Sequence, residues 1–483
     1  MSPQDAMFLH VEDARNAMHI GGVSVFEGPA PRYGDLLRAV AAKLPAVPRY
    51  RQKARMVPLG LGRPVWVDDP DFQLLYHVRQ TALPGPGGRD QLRNLAGRIF
   101  GQTLDRNKPL WETWLVEGLE QGRWALVSKV HHAMVDGIAA TDLLSVLLDT
   151  TPDPGPVVPS PWAPDPEPSG LWLVGDAVVD SVVSPLARLR GLPGLARLPF
   201  RAGTSVADLL RLTATLRPWT ARSAGSLNGP IGVHRRWSWA DVDLADVKNI
   251  REALGGTVND VVLATVTRGF RDLLLARGED LEGTVVRTLV PVSVRAESER
   301  GTFNNRVAAF LANLPVGISD PVDRLADVRE QMEVLKESGQ AMAGDALTRL
   351  TGYAPPTLLA LGARLMTRTP QRIVQTAVTN VPGPRIPLYM LGTRLLYSYP
   401  YIPLMGSVRI SVGIFSYGGL LAYGITGDYD SVTDIDVLRA GIEAGAVELL
   451  AAAGHPSRPG RARRRAPSRQ AVARRKRPAA ARR

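Results

Sequence analysis

The stretch Trp124–Val130 (WALVSKV) is almost continuously apolar, the pattern of a strand covered on both faces. Beyond a short polar break, Ile138–Leu148 (IAATDLLSVLL) switches to helical spacing and predicts an amphipathic helix. Upstream, Gly34–Ala42 and Arg89–Thr103 predict helices, and Pro64–Asp68 and Leu74–Arg79 predict short strands. Residues 1–150 therefore predict one α/β unit. A second unit is expected over 226–454. Its elements are a helix at Asn259–Leu274, a buried strand at Thr284–Val294 and a helix at Pro321–Ser338 with proline at its start. A hairpin around Gly418-Gly419 follows within Ile414–Tyr429, and a closing helix runs over Asp434–Ala453.

The units are separated by two unlike segments. Thr151–Ser169 holds 8 prolines in 19 residues, a density that forbids a helix or central strand and predicts an extended linker over 151–170. Residues 171–225 carry apolar helical stretches, and 171–223 bear 7 Arg against 3 Asp. They predict either a surface segment for an anionic membrane or a packed helical pair with a solvated basic face. Beyond 455 the chain is Arg, Pro and Ala, a composition that predicts disorder.

Composition changes this picture in three places. The formal charge of +12 misleads until it is located: residues 456–483 hold 12 Lys/Arg and no acid, leaving 46 basic against 46 acidic residues before them. A nucleic-acid-binding domain should carry its own basic face, so a nucleic-acid partner is not expected for residues 1–455. There is no cysteine, which excludes disulfides, thiolate metal sites and cysteine nucleophiles. No apolar run is long enough for a spanning helix, and the N-terminus lacks the pattern of a secretion signal, so a cytoplasmic location is expected.

The candidate chemistry sits between the strand and the helix, in Lys-Val-His131-His132-Ala-Met-Val-Asp136-Gly137. A His-His-x-x-x-Asp-Gly string is expected in about 6 of 10,000 chains of this composition, so it is specific. A near-neutral imidazole at a strand end can take a proton from a hydroxyl that attacks a carbonyl. His132 is the better base by its spacing to Asp136; His131, on the other face of the strand, reads as structural. Asp136 either orients His132 or is a structural anion paired with an arginine, the second being preferred. Gly137 allows the tight turn into the helix. Adjacent strand histidines point apart, so a metal site is not expected. No Gly-x-Ser-x-Gly elbow, Walker A loop or Gly-x-Gly-x-x-Gly fingerprint occurs.

Several segments, in order, resemble the bacterial wax ester synthase/diacylglycerol acyltransferases. They are the opening MSPQDAMFLHVEDARNAMHIGG, with Ala17 where that family usually has proline, LDRNKPLWE, HHAMVDG, LNGPIGVHRR, GGTVNDVVLA, PVSVR and NVPGP. The resemblance covers nearly all of 1–454; the Arg-rich tail has no counterpart. It implies two chloramphenicol-acetyltransferase-like α/β subdomains around a central tunnel. Acyl-CoA would enter as a substrate from one side and a hydroxyl acceptor, diacylglycerol or a long-chain alcohol, from the other, with no cofactor.

The resemblance also assigns roles. Asn259 is a candidate oxyanion donor beside Asp260, with a helix-cap role as the competing reading. Arg295 is read as the ion-pair partner of Asp136. Pro109, Leu110 and Trp111 are read as packing that shapes the pocket, and Asn380, Pro382 and Gly383 as a turn near the site. Glu12 is a weaker candidate, because a solvated acid explains it as well. Lipid acceptors imply peripheral attachment at a membrane or lipid-droplet surface. Two rivals stand beside this reading. One is a condensation-type or polyketide-associated acyltransferase of the same fold; the other is a non-catalytic lipid- or nucleic-acid-binding protein acting through its tail.

Overall fold

A computed structural model describes residues 1–134, 147–153, 155, 162–177, 179, 222–293, 307–337 and 373–454. Two mixed sheets form the frame. The first has six strands in the order β12-β13-β1-β6-β5-β4. These are β1 (His19–Phe26), β4 (Val78–Ala82), β5 (Trp111–Glu117), β6 (Trp124–His131), β12 (Tyr389–Met390) and β13 (Thr393–Tyr401). The second has the order β10-β9-β11-β14-β15-β8 with β7 (Arg222–Ser223) added on β9. Its other strands are β8 (Arg235–Asp243), β9 (Thr284–Ser293), β10 (Val307–Leu314), β11 (Thr376–Pro382), β14 (Ile410–Tyr417) and β15 (Leu420–Asp428).

Strand β6 is buried at every position, as its continuous apolar run requires. Trp124, Leu126 and Val130 enter one apolar cluster with Phe26, Leu36 and Trp111. Ala125 and Val127 enter another with Phe100, Trp237 and Tyr401. The helices α1 (Pro3–Val11), α2 (Tyr33–Lys43) and α4 (Arg89–Gly101) serve this half of the molecule. In the second half, α6 (Val258–Ala276) and α8 (Ile435–Ala452) share the core of the second sheet with α5 (Leu244–Leu254) and α7 (Pro321–Glu337). Helix α6 starts on a capping box, with Thr257 and Asp260 each satisfying the other's backbone N–H.

Two sequence expectations change. Leu74–Arg79 is not a strand: Leu74–His77 makes the single helical turn α3, and β4 begins at Val78. The turn is held by the buried His77, whose Nδ1 lies 2.8 Å from the Trp111 carbonyl. Second, residues 226–454 do not form one sheet system. Strands β12 and β13 leave it and join the first sheet, where β13 runs antiparallel to β1 with Gly22 opposite Pro400. Strand pairing is non-local, and the chain's hydrophobic pattern carries no record of which sheet a strand joins. The proline-rich linker has neither helix nor strand over its described residues to Ser169. Among its described residues, Trp162 lies under the Arg51 guanidinium, and Glu167 pairs with Lys53 and Arg55 of the hairpin formed by β2 (Gln52–Arg55) and β3 (Val65–Asp68). Residues 455–483 lie outside the described residues.

The two sheets meet where β13 crosses β14 and β15. The Pro400 carbonyl accepts from the Trp237 indole at 3.3 Å, and a Cβ built on Gly424 would overlap that same carbonyl oxygen. Helix α4 bridges the sheets from the side, with Arg89 paired to Asp241 at 3.0 Å. The hairpin turn between β14 and β15 has Gly418 and Gly419 both at positive φ, as a two-residue primed turn requires. Gly424→Ala should therefore destabilise by about 1–3 kcal/mol or more, since the obstructing group is backbone. A lowered urea midpoint checks this; an unchanged midpoint would contradict this seating of the sheets.

Candidate active site

The motif begins where the first sheet ends. His131 closes β6, and His132–Met134 turn as one short 3-10 segment. Each histidine is fixed by its main chain. The His131 N–H donates to the Leu110 carbonyl at 2.9 Å, and the His132 N–H donates to the Met18 carbonyl at 2.8 Å. Pro109, Leu110 and Trp111 are all buried, so this element supplies both an acceptor and a wall. Trp111 stacks on His77 with centroids 4.7 Å apart and donates its indole N–H to the Tyr50 carbonyl at 2.8 Å.

The two imidazoles have different surroundings. His131 is fully buried; its Nδ1 accepts from the Ala133 N–H at 3.0 Å, and its Nε2 lies 3.4 Å from Glu12 Oε1. An accepting Nδ1 places the ring proton on Nε2, facing that carboxylate. His132 is only partly covered and stacks on Phe8 of α1, with centroids 4.0 Å apart and an interplanar angle of 21°. Burial pushes its pKa down from 6.5 to about 4; a hydrogen bond to its own backbone raises it and His131 lowers it further. The ring is therefore neutral at pH 7.

Glu12 is not a solvated acid. Its side chain is 4% exposed, and its carboxylate accepts from the Met18 N–H at 3.1 Å and from Arg106 Nε at 2.9 Å. Burial alone would raise its pKa, but the facing His131, the Met18 N–H and Arg106 together lower it to about 2. Glu12 falls just past α1, seven residues before the strand that pairs His19 with His131. Lys43 also escaped the sequence reading. Its Nζ donates to the Leu147 carbonyl and to Asp149, both at 2.7 Å, and so anchors the chain where it emerges beyond the motif.

Asn259 and Asp260 lie in the first turn of α6. Asp260 is committed to the capping box, its Oδ2 accepting from the Thr257 N–H at 2.8 Å. The cap is Thr257, so Asn259 does not fill that role. Its Oδ1 instead accepts from Asn380 Nδ2 at 3.4 Å. Asn380 and Pro382 belong to β11, and the Gly383 N–H beyond them donates to Ser416 Oγ at 3.1 Å. Val381, between them, packs against the apolar cluster that contains Ala133 and Met134. Strand β11 and the histidine turn therefore border the same apolar cluster. Asp136, Gly137 and Arg295 lie outside the described residues, and with them the expected Asp136–Arg295 pair. Among the described residues, no three His, Asp or Glu side chains are grouped to hold a metal ion.

Residues 1–262 match the wax ester synthase/diacylglycerol acyltransferase catalytic domain, and residues 303–449 match the C-terminal domain of the same family. The chain belongs to this acyltransferase family. It is 39% identical over 455 residues to a probable diacylglycerol O-acyltransferase of Mycobacterium tuberculosis, covering 92% of this chain and 95% of that one. It is also similar to the solved wax ester synthase/diacylglycerol acyltransferase of Marinobacter aquaeolei VT8. That comparison gives a TM-score of 0.65 at 26% identity, covering 94% of this chain and 99% of the other. The first condensation domain of the calcium-dependent antibiotic synthetase has the same fold, with a TM-score of 0.57 at 16% identity, covering 93% of this chain and 96% of that one.

The pKa shifts give this acyltransferase a defined acid response. Unfolded, His132 binds a proton below about 6.5; folded, it does not until about 4, so its contribution to stability is lost as pH falls through that window. Glu12 behaves likewise between about 4.5 and about 2. The His132 ring resonances should accordingly stay those of a neutral imidazole at pH 5.5. A ring that titrates near 6.5 by NMR would contradict the buried placement.

Proposed function

We propose that the protein is an acyl-CoA-dependent O-acyltransferase that moves a long-chain acyl group to diacylglycerol, and also to long-chain alcohols. The observation that carries this is a partly covered, neutral His132 held by main-chain bonds in a chain of this family. His132 Nε2 takes the proton of the acceptor hydroxyl as its oxygen bonds to the thioester carbonyl carbon. The tetrahedral oxyanion collapses, the C–S bond breaks, and the CoA thiolate recovers the proton from the imidazolium. The base ends unprotonated, and no acyl-enzyme is needed. Asn259, with its amide beside Asn380, is the proposed donor to the oxyanion.

The lipid acceptors call for attachment at a membrane or lipid-droplet surface. No described helix is long and apolar enough to cross a membrane. An exposed apolar patch supports docking instead. Leu59, at the β2–β3 hairpin tip, and Leu171 are each 88% exposed, and Trp172 is 59% exposed. Leu173 differs from its neighbours: it is buried with Val57 and Ala177 and joins residues 170–177 to the hairpin. The patch is thus a hairpin tip and a helix start held together by Leu173, with Leu59, Leu171 and Trp172 free to enter an interface.

Two measurements test these readings. His132→Ala should lower turnover of palmitoyl-CoA with diacylglycerol by about 10²–10⁴-fold in a folded protein; retained turnover excludes His132 as the base. Full-length protein should float with anionic vesicles, and the triple change of Leu59, Leu171 and Trp172 to Ser should reduce the fraction that survives high salt, where charge attraction is screened. Flotation in high salt that is unaffected by the triple change would remove the patch from the proposal.

A further inference from the structure

The geometry points to Glu12 as a positioning residue for the catalytic turn, acting on His132 from two sides through a single carboxylate oxygen; this rests on His132 as the base. On one side, Oε1 accepts from the Met18 N–H at 3.1 Å, and the Met18 carbonyl receives the His132 N–H at 2.8 Å. On the other, Oε1 lies 3.4 Å from His131 Nε2, and His131 Nδ1 receives the Ala133 N–H at 3.0 Å. The residue carrying the base is therefore held at its own N–H and at the N–H that follows it. Both restraints converge on Glu12 Oε1.

The second restraint depends on tautomer. His131 accepts from Ala133 only while its proton sits on Nε2, and the anion facing Nε2 favours that form. An apolar side chain at position 12 would leave this choice open and free the Met18 peptide. Glu12 is itself held, by Arg106 on Oε2 and by its position at the end of α1, where its N–H donates to the Phe8 carbonyl at 3.1 Å. Phe8, one turn earlier, stacks on the His132 ring. Helix α1 thus touches the base directly through Phe8 and fixes its backbone through Glu12. The acid does not touch the reacting atoms, so its effect should fall on turnover rather than on substrate affinity.

Glu12→Gln keeps an oxygen that can accept from both Met18 and His131 Nε2; Glu12→Leu keeps none. At a temperature where both variants are folded, kcat should fall in the order wild type, Glu12→Gln, Glu12→Leu. The last should lose about 10–100-fold, with KM for palmitoyl-CoA unchanged. If Glu12→Leu does not fold, Glu12→Gln carries the test, with a loss above about threefold in kcat expected. A loss below that, or one confined to KM, overturns the role even if the melting temperature drops. His132→Ala measured in parallel separates the two claims. If it retains turnover, the base assignment fails; if it abolishes turnover while the Glu12 variants keep theirs, only the positioning role fails.

Discussion

The hydrogen bond from the His132 N–H to the Met18 carbonyl ties the end of β6 to the chain that leads into β1. Much else is arranged to keep it. Strand β1 lies beside β6 in full antiparallel register, from His19 opposite His131 to Phe26 opposite Trp124, so Met18 arrives opposite the turn. Glu12 takes the other face of the same stretch through the Met18 N–H. The Leu110 carbonyl holds His131 from the third strand, β5. An imidazole on a free loop would sample many orientations; the backbone that carries His132 is instead bonded beside β1, β5 and β6.

Burial serves that geometry electrostatically. Partial burial of the His132 ring against Phe8 disfavours the imidazolium and keeps the neutral form populated. The same desolvation would be costly for Glu12, yet its carboxylate is ionised because His131, Arg106 and the Met18 N–H compensate. A neutral His132 and the buried anion Glu12 thus flank His131, with environments that push both groups away from proton uptake above pH 5. The consequence is a site stable at neutral pH and sensitive to acid.

The frame around the site depends on a strand exchange. Strands β12 and β13 extend the first sheet although they come from the second half of the chain, and the intervening glycine at 424 lets β13 pass close over β15. The exchange also closes a loop on the motif: Asp149 and Tyr389 exchange backbone hydrogen bonds of 2.8 Å, so the chain emerging beyond the motif is pinned to β12. The two halves therefore cannot separate as simple lobes. The cluster that contains Ala133 and Met134 from the first sheet also receives Val381 from the second.

By itself the sequence determined the local elements with strong periodicity and the rare histidine motif. The strand Trp124–His131, the helices Arg89–Gly101, Val258–Ala276 and Pro321–Glu337, and the Gly418-Gly419 hairpin all follow from residue spacing, because their apolar faces and turn residues are local properties. The histidine pair was legible for the same reason: its rarity and its place at a strand end are both written in adjacent residues. Tertiary structure alone decided which strands pair, that β13 joins the opposite sheet, and that Leu74–His77 turns rather than extends. It also decided that Glu12, indistinguishable in sequence from a surface acid, is buried against His131, and that Thr257 rather than Asn259 caps its helix. Those outcomes depend on contacts between residues far apart in the chain, or on competition between neighbouring caps, and the burial of a charged group is settled only when every partner that neutralises it has been brought to the same place.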